Sequence, residues 1–382
     1  MLMRDRPDLA KPHANLAHKR HAGPANAPAL GPVGARFSST DIVALFSPWK
    51  AARGIVLGVS GGPDSVALML LAAEWGSGRA TRPPLYVATV DHGLRKDSRG
   101  EAEMVARWAA ALALPHAILV WDGVKPKSRI QERAREARYE LLFDHTARIG
   151  ADHVMTAHHA DDQAETILFR LLRGSGVSGL AGMASSSERS GLVLARPLLA
   201  LAKAELAAFC ETRAHPFLDD PSNNDPAYAK TRIRRLGRIL AGEGLGRAAL
   251  LRLGRRAARA DAALAARASA VRATLAARRE EGGFLADISA LAQEPEEVLL
   301  RFLSDELKLI SGGKPPRLER LEALAPRFGQ AVRAGIAFTA TLGGAALRLQ
   351  GNRTLAIVKE GARGGGAKKT GKESSRPVST AK

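Results

Sequence analysis

Residues 55–70 read IVLGVSGGPDSVALML, and this stretch decides the fold of the chain. Residues 55–59 are apolar and rich in β-branched side chains, which is typical of a short strand buried on both faces of a parallel sheet. Residues 66–70 are rich in Ala and Leu and predict the start of a helix. The polar residues between these two parts therefore form a turn from a buried strand into a helix.

The turn has the composition of an anion-binding loop. It contains two glycines, two serines, a proline and an aspartate, namely Ser60, Gly61, Gly62, Pro63, Asp64 and Ser65. Glycines let backbone N–H groups approach a ligand closely, and the helix N-terminus adds partial positive charge, so the expected ligand is a phosphate. The turn carries neither Gly-Lys-Ser/Thr nor G-x-G-x-x-G, which excludes the Walker loop and the dinucleotide fingerprint. A turn without a ligand would need neither Asp64 nor the two flanking hydroxyls.

The composition indicates a nucleic-acid partner. The 382 residues suffice for two domains, and the net charge of +19 suits phosphate contacts, although a bias towards Arg and Ala alone would also produce it. The single cysteine, Cys210, has no partner for a disulfide or a metal cluster and is expected in the core. The sequence has no apolar run of about eighteen residues, so we expect no membrane span and a soluble, cytoplasmic protein.

Short apolar runs alternate with helical ones from residue 53 onward. Predicted strands cover residues 55–59, 85–90, 117–121 and 153–157, and predicted helices cover residues 66–75, 99–113 and 130–149. This alternation indicates βαβ units and an α/β fold, with a Rossmann-like parallel sheet and helices on both faces. Ligands of such sheets bind beyond the carboxyl ends of the strands, so polar motifs are expected directly after each strand.

Two polar clusters stand where this rule predicts them. Residues 91–95 (DHGLR) follow the second strand, and residues 157–166 (AHHADDQAET) follow the fourth. If a helix starts near Ala160, then Asp161 and Glu165 lie one turn apart on one face. Helix capping accounts for one carboxylate, but not for two histidines and three acids together. A histidine beside a carboxylate can act as a general base, and the carboxylates could instead hold a hard cation.

Two groups of basic residues suit the same edge of the sheet. Arg135 and Arg138 lie three apart on the third helix, where they either form a solvated face or reach a phosphate with their forked guanidinium groups. Further along, four basic residues crowd two helical turns, which is costly unless an anion lies nearby: Lys230, Arg232, Arg234 and Arg235.

Taken in order, these motifs resemble those of one family. They are SGGPDS (60–65), DHGLR (91–95), AREARY (134–139), AHHADDQAET (157–166), RLLRGSGVSGLAGM (170–183) and DPSNNDPAYAKTRIR (220–234). The first resembles the pyrophosphate loop, or PP-loop, of the ATP pyrophosphatases. The whole set resembles the tRNA(Ile)-lysidine synthase family, over roughly residues 50–240 and in the family's order.

The resemblance implies an RNA-modifying ligase that forms a carbon–nitrogen bond. ATP would adenylate the C2 oxygen of the wobble cytidine in a tRNA(Ile) with a CAU anticodon. The amine of free L-lysine would then attack C2, AMP would leave, and the product would be lysidine. The implied cofactors are ATP and Mg²⁺, and the implied partners are this tRNA and L-lysine.

The resemblance also implies roles for individual residues. The ATP-binding positions would be Ser60, Gly61, Gly62, Pro63, Asp64, Ser65, Arg135 and Arg138, with Asp64 also holding Mg²⁺. The catalytic positions would be Asp64, His158, Asp161, Asp162 and Arg234. His158 and the two aspartates would line the lysine and adenylation site, and Arg234 would stabilise developing charge.

The sequence predicts four segments. They are a disordered lead (1–36), a catalytic domain (37–242), a helical tRNA-contacting region (243–360) and a flexible basic tail (361–382). The third segment begins with a predicted long helix over residues 245–279, whose arginines either track the tRNA backbone or form a solvated face: Arg252, Arg255, Arg256 and Arg259. Residues 284–328 are predicted to be helical with a break at residues 312–316, and residues 336–358 to form a small antiparallel sheet.

Two other functions stay open at this point. A thiolation-type PP-loop enzyme would need cysteines for sulfur transfer or an iron–sulfur cluster, and a single cysteine argues against that chemistry. A non-catalytic RNA-binding protein of the same fold would have no need of Asp64, His158 and Asp161. The sequence leaves the oligomeric state open between a monomer and a homodimer.

Overall fold

The structure is a computed structural model that describes residues 37–77, 82–95, 97–123, 125, 128–218, 229–279, 283–313 and 316–360. The chain divides into two compact units, Met1–Ala263 and Leu264–Lys382. Three predicted segments lie outside the described residues: the lead (1–36), residues 219–225, whose Asp, Asn, Pro and Ser content predicts turns, and the tail (361–382). The division into functional domains at residue 242 stays a prediction.

The first unit contains a six-stranded sheet. Its strands are β1 Ile55–Gly58, β2 Leu85–Asp91, β3 His116–Val120, β4 His153–Thr156, β5 Ser186–Arg189 and β6 Leu192–Ala195. They are arranged in the order β3-β2-β1-β4-β6-β5, and all neighbours pair in parallel except β5 and β6. The predicted parallel sheet is confirmed, and β1 lies between β2 and β4, so the polar segments after these three strands share one edge.

Helices cover both faces of this sheet, as predicted. The helices before residue 220 are α1 Ser39–Phe46, α2 Pro63–Gly76, α3 Ser98–Ala111, α4 Ile130–Arg148, α5 Ala160–Leu171, α6 Val177–Leu180 and α7 Lys203–Thr212. Helices α8 Ala229–Gly242 and α9 Arg247–Thr274 follow them, and α9 continues past Ala263, where the first unit ends. Ile55 and Leu57 pack into the core with α1 and α2, whereas Val56 packs on the opposite face with α4. All three side chains are fully buried, because a central strand of a doubly covered sheet has no solvated face.

Two local features of this unit differ from the prediction. Helix α2 begins at Pro63 rather than at residue 66, because proline suits the first helical position, where no intrahelical N–H bond is needed. The β5–β6 hairpin was not predicted, since β5 is polar. Ser190 and Gly191 both have positive φ, at 51° and 76°, as a two-residue hairpin turn requires.

Helix α8 and the start of α9 pack against α5. Ile167 and Leu168 of α5 form a small apolar cluster with Leu250 of α9. Gly254 permits the close approach, because a Cβ atom there would lie 2.5 Å from Cδ1 of Ile167. This packing brings basic side chains of α8 and α9 to the polar end of α5.

The second unit contains an antiparallel sheet and two helices. Its strands β7 Gly283–Asp287, β8 Phe338–Leu342, β9 Ala345–Leu349 and β10 Thr354–Lys359 are arranged in the order β7-β10-β9-β8. Helices α10 Glu296–Ile310 and α11 Leu318–Ala334 bury Phe302 and Phe328 against it. The antiparallel sheet predicted within 336–358 is confirmed.

The prediction of helix from residue 284 is wrong at its start, whereas the predicted break at residues 312–316 falls between α10 and α11. In β7, Phe284 and Ala286 are buried while Leu285 and Asp287 are exposed, and this period of two belongs to a strand. Five residues are too few for their pattern to separate the two structures reliably.

The ion pairs of this unit fix several arginines of the long basic stretch. Glu306 is fully buried and accepts hydrogen bonds from Arg272 and Arg279. Arg267 binds Glu294 in the same way. A buried carboxylate needs such partners, so these arginines have a structural role.

Within the described parts of the chain, no helix has both the length and the apolar character that a membrane crossing requires.

Candidate active site

The phosphate-loop candidate is held in shape by its own hydroxyls. Ser65 Oγ accepts a hydrogen bond from the Ser60 backbone N–H at 3.1 Å and donates one to the Gly62 carbonyl at 2.9 Å. Gly61 has φ of +89°, and a Cβ atom there would lie 2.5 Å from Cδ1 of Leu218. Only glycine satisfies both the positive φ and the close approach.

The loop ends at the N-terminus of α2. The N-cap residue is Gly62, which has no side chain to bind the first-turn N–H groups. Pro63 occupies the first helical position, and Asp64 lies in the first turn. The arrangement is suited to an anion, which can accept hydrogen bonds from backbone N–H groups at a positive helix end.

Asp64 connects this loop to the end of β4. Its Oδ2 lies 3.5 Å from Nε2 of His159. Its Oδ1 is buried and has no hydrogen-bond partner among the described residues. An orphaned buried carboxylate oxygen is costly unless a cation or donor satisfies it, so this atom is a candidate cation ligand.

His159 lies at the centre of the acidic cluster. It is 4% exposed and is the N-cap residue of α5, where its Nδ1 accepts the backbone N–H of Asp162 at 3.3 Å. Its Nε2 lies 3.2 Å from Oδ2 of Asp162. Burial lowers the pKa of His159, but the carboxylates around it, led by Asp64, outweigh burial and raise the pKa above its ordinary value.

The histidine named from the sequence, His158, has different neighbours. Its Nδ1 lies 2.8 Å from the hydroxyl of Thr156, and its Nε2 lies 3.5 Å from Nη2 of Arg135. Arg135 also donates to the Tyr139 hydroxyl at 3.3 Å. His158 and Arg135 therefore come together, while His159 takes the place beside Asp64.

Arg138, the other α4 arginine named from the sequence, contacts the motif after β2. Its Nη2 and Nε lie 3.2 Å and 3.4 Å from Nε2 of His92. Burial and the charge of Arg138 lower the pKa of His92 to about 4, so its ring is neutral and can accept from the guanidinium. Asp91 stabilises the turn that follows β2 by accepting from the Gly93 N–H and the Ser98 hydroxyl.

The two acids that the sequence placed on one face of α5 have separate partners. Asp161 accepts from the Lys203 N–H at 2.8 Å and from Nη1 of Arg247 at 3.1 Å. Glu165 accepts from Nε of Arg234 at 2.6 Å. Asp161 therefore contacts α7 and α9, while Glu165 contacts α8.

Arg234 belongs to the same electrostatic cluster as Asp64. Burial lowers the pKa of Arg234, but the carboxylates of Glu165, Asp162 and Asp64 outweigh burial and raise the pKa. The structure thus brings together three of the residues named from the sequence, Asp64, Asp162 and Arg234. The individual roles assigned to them stay predictions.

Three residues of the cluster were missing from the predicted site. His159 and Glu165 stand within the motif at 157–166, and their signals were a helix N-cap position and a one-turn spacing from Asp161. Arg247 has no comparable signal, because only the packing of α9 on α5 brings it to Asp161.

The carboxylates around Asp64 fit a magnesium ion that is shared with a phosphate ligand. In the described parts of the chain, no group of three or more His, Cys, Asp or Glu side chains has the arrangement of a metal site. Mg²⁺ at nucleotide sites commonly uses one or two carboxylates and takes its other ligands from phosphates and water. Oδ1 of Asp64, which no described residue satisfies, is suited to that limited contribution.

Comparisons with known proteins agree with this geometry. Residues 36–239 match the family model of the PP-loop domain. The chain is 50% identical over 316 residues to a tRNA(Ile)-lysidine synthase of Methylobacterium sp. (strain 4-46), which covers 81% of this chain and 91% of that relative. It is 47% identical over 329 residues to a tRNA(Ile)-lysidine synthase of Rhodopseudomonas palustris, which covers 84% of this chain and 94% of that relative.

One solved structure is similar at lower identity. It is the U34-tRNA thiolase NcsA from Methanococcus maripaludis with its 4Fe–4S cluster, at a TM-score of 0.48 and 16% identity, covering 57% of this chain and 77% of that chain. The relatives named above align along most of their own length, and the PP-loop match includes the loop, Asp64 and the acidic cluster. The chain belongs to the tRNA(Ile)-lysidine synthase family of PP-loop proteins.

Proposed function

We propose that this protein uses ATP to join L-lysine to C2 of the wobble cytidine of tRNA(Ile) with a CAU anticodon. The cytidine is first adenylated, with release of pyrophosphate. The lysine amine then attacks C2 and AMP leaves, which forms lysidine. The reaction is that of a carbon–nitrogen ligase, and we place it in the cytoplasm.

In this proposal the loop and its neighbours bind the nucleotide. The backbone N–H groups of residues 60–65 and the N-terminus of α2 would bind the phosphates. Asp64 would hold Mg²⁺ through Oδ1, and when bound the ion would neutralise phosphate charge. Arg135 and Arg138 would lie close to the nucleotide, because they contact His158 after β4 and His92 after β2, the two strands that flank β1.

The acidic end of α5 would bind the lysine. Its attacking amine must lose a proton before it can act as a nucleophile, and a carboxylate can both attract the ammonium group and accept that proton. Asp162 is the candidate for this step because it lies beside His159 and Asp64. Asp161 would contribute negative charge at the edge of the cluster, where Arg247 and the backbone N–H of Lys203 hold its carboxylate. Arg234 would stabilise negative charge that develops during adenylation.

The observation that carries this proposal is the link between two polar segments. His159 Nε2 lies within 3.5 Å of both Asp64, which follows β1, and Asp162, which follows β4. Groups that suit a phosphate-bound cation and groups that suit an amine are therefore neighbours. An ATP-dependent ligation of an amine requires that arrangement, because the amine must reach the carbon that bears the adenylated oxygen.

Pyrophosphate release tests the proposal directly. Purified protein is incubated with ATP and Mg²⁺, with L-lysine and tRNA(Ile) transcript present together or omitted in turn. We expect full turnover only when both are present. Pyrophosphate release at the same rate with and without tRNA, or no release in the complete mixture, would overturn the proposal.

The thiolation alternative is disfavoured by the chemistry of the cysteine. Burial, followed by the nearby charges of Asp64 and Glu211, raises the pKa of Cys210 to about 11. The thiol is buried and donates to the Pro63 carbonyl at 3.5 Å. A thiol with that pKa is almost entirely protonated at neutral pH and is a poor nucleophile.

The arginines at the start of α9 give the proposed tRNA contact a test. Arg252 and Arg255 are exposed, and in the Arg252→Gln/Arg255→Gln double variant we expect weaker tRNA binding. The slope of log Kd against log salt should fall by about two, because each lost phosphate contact removes about one released counterion. Filter binding across a salt series measures this slope.

The matched control for that test removes the same charge elsewhere. Arg107 on α3 and Arg148 at the end of α4 are also exposed, and Arg107→Gln/Arg148→Gln should keep the original slope. Equal slopes for both double variants and the unmodified protein would assign Arg252 and Arg255 to a solvated helix face.

A further inference from the structure

We propose that His159 is a positioning residue that links the phosphate loop to α5 and fixes the orientation of Asp64. This inference rests on the proposed function for its meaning, but it is drawn from contacts within the chain. His159 uses its two ring nitrogens for two different tasks. Nδ1 holds the start of α5, and Nε2 holds the two carboxylates.

The first task is fixed by the capping geometry. The Asp162 N–H donates to Nδ1 at 3.3 Å, and in return the Asp162 carboxylate accepts the N–H of His159 at 3.4 Å. Nδ1 must carry a lone pair to accept this bond, so the proton of the neutral ring lies on Nε2.

The second task follows from the first. Nε2–H faces Oδ2 of Asp64 at 3.5 Å and Oδ2 of Asp162 at 3.2 Å. Two half-buried carboxylates from different elements repel each other, and an N–H group placed beside both offsets that repulsion. The side chain of His159 is 5% exposed, so water has little room to replace it.

The consequence concerns the other oxygen of Asp64. When Oδ2 is engaged by His159, the carboxylate cannot rotate freely, and Oδ1 keeps the direction in which no described residue satisfies it. A cation shared with the ATP phosphates would find this oxygen already oriented. His159 therefore acts through Asp64 rather than on the substrates.

Two conservative variants separate the two tasks. In His159→Asn the amide oxygen takes the position of Nδ1 and can still cap α5, because Asn is a good N-cap residue, but nothing replaces Nε2–H. In His159→Gln the amide N–H reaches the position of Nε2, but the cap is lost. The first keeps the helix and loses the link, whereas the second keeps the link and loses the cap.

The readout is the binding of ATP with and without Mg²⁺, measured by calorimetry in the absence of lysine and tRNA. We expect Mg²⁺ to raise ATP affinity in the unmodified protein and in His159→Gln, and that gain to be reduced about tenfold or more in His159→Asn. The melting temperature should depend on the N-cap of α5 instead. We therefore expect His159→Gln to melt about 2–4 °C lower and His159→Asn to melt close to the unmodified protein.

His153 supplies the control, since it lies at the opposite end of β4 and its Nδ1 is 2.7 Å from Asp152. His153→Gln should keep the Mg²⁺-dependent gain. If His159→Asn also keeps it, or if His159→Gln loses it while melting normally, the positioning role is wrong.

The binding readout also separates this inference from the proposed function. Should the unmodified protein bind MgATP but release no pyrophosphate with lysine and tRNA, the proposed function fails. The Asn and Gln variants would still show whether His159 orients Asp64.

Discussion

Replacing Asp64 with asparagine is expected to lower lysine- and tRNA-dependent pyrophosphate release by about 100- to 1,000-fold. The substitution keeps the size of the side chain but removes its charge. Oδ1, which no described residue satisfies, could then no longer offset the charge of a cation at the phosphates. Binding of tRNA should be nearly unchanged, since its proposed contacts lie on α9. Initial rates and filter binding on the same preparation measure both quantities.

Glu74→Gln is the matched control, because Glu74 lies on the same helix and pairs with Arg213 at the surface at 2.6 Å. An exposed pair of this kind contributes little to stability, so this variant should keep its activity. Unimpaired turnover in Asp64→Asn would mean that Asp64 does not belong to the reacting centre.

The second large effect is expected for Arg234→Lys, with kcat falling about 100-fold. Lysine keeps the positive charge but is a flexible point charge, whereas the planar guanidinium binds Glu165 through Nε at 2.6 Å with fixed geometry. The KM values for ATP and lysine should change little, because stabilisation of developing charge acts on the transition state. Steady-state kinetics with each substrate varied in turn separate the change in kcat from the change in each KM.

Arg213→Lys is the corresponding control, because Arg213 binds Glu74 at the same 2.6 Å but at the surface. Its kcat should equal that of the unmodified protein. A normal kcat in Arg234→Lys, or a change confined to KM, would contradict a transition-state role and reduce Arg234 to a partner that holds Glu165.

The sequence was sufficient for the sheet because burial dictates its pattern. Ile55, Val56 and Leu57 are apolar without alternation, and a strand covered on both faces requires that composition. The hairpin of β5 and β6 lies at the sheet edge, where β5 can be polar, so its apolar signal is weak. The local sign of this hairpin is the pair Ser190 and Gly191, which suits a two-residue turn. Strand β7 has five residues, and so short an alternating pattern does not distinguish a strand from a helix.

The site was predictable in its residue types but not in its pairings. The rule that ligands bind beyond strand ends located the loop at 60–65 and the motif at 157–166. Which histidine meets Asp64 depends on where β4 ends and α5 begins. Strand β4 ends at Thr156, and the Thr156 hydroxyl contacts Nδ1 of His158. His159 is the N-cap residue of α5, and its ring lies beside Asp64. Histidine is not a preferred N-cap residue, so capping preferences alone did not identify it.

The contacts of Asp161 and Glu165 illustrate the same limit. Their one-turn spacing predicted a shared face, yet Asp161 meets Arg247 and Glu165 meets Arg234. Both arginines come from helices far along the chain, and a local pattern contains no information about such partners. Tertiary packing of α8 and α9 on α5 decides which carboxylate each arginine takes.

Mass spectrometry of the tRNA after reaction decides whether the protein forms lysidine. Transcripts of tRNA(Ile) with a CAU anticodon are incubated with the protein, ATP, Mg²⁺ and isotopically labelled L-lysine, then digested to nucleosides. We expect one labelled lysine attached to the wobble cytidine, with none on a transcript whose wobble base is uridine. An unmodified cytidine after ATP has been consumed, or a sulfur-containing nucleoside in its place, would contradict it.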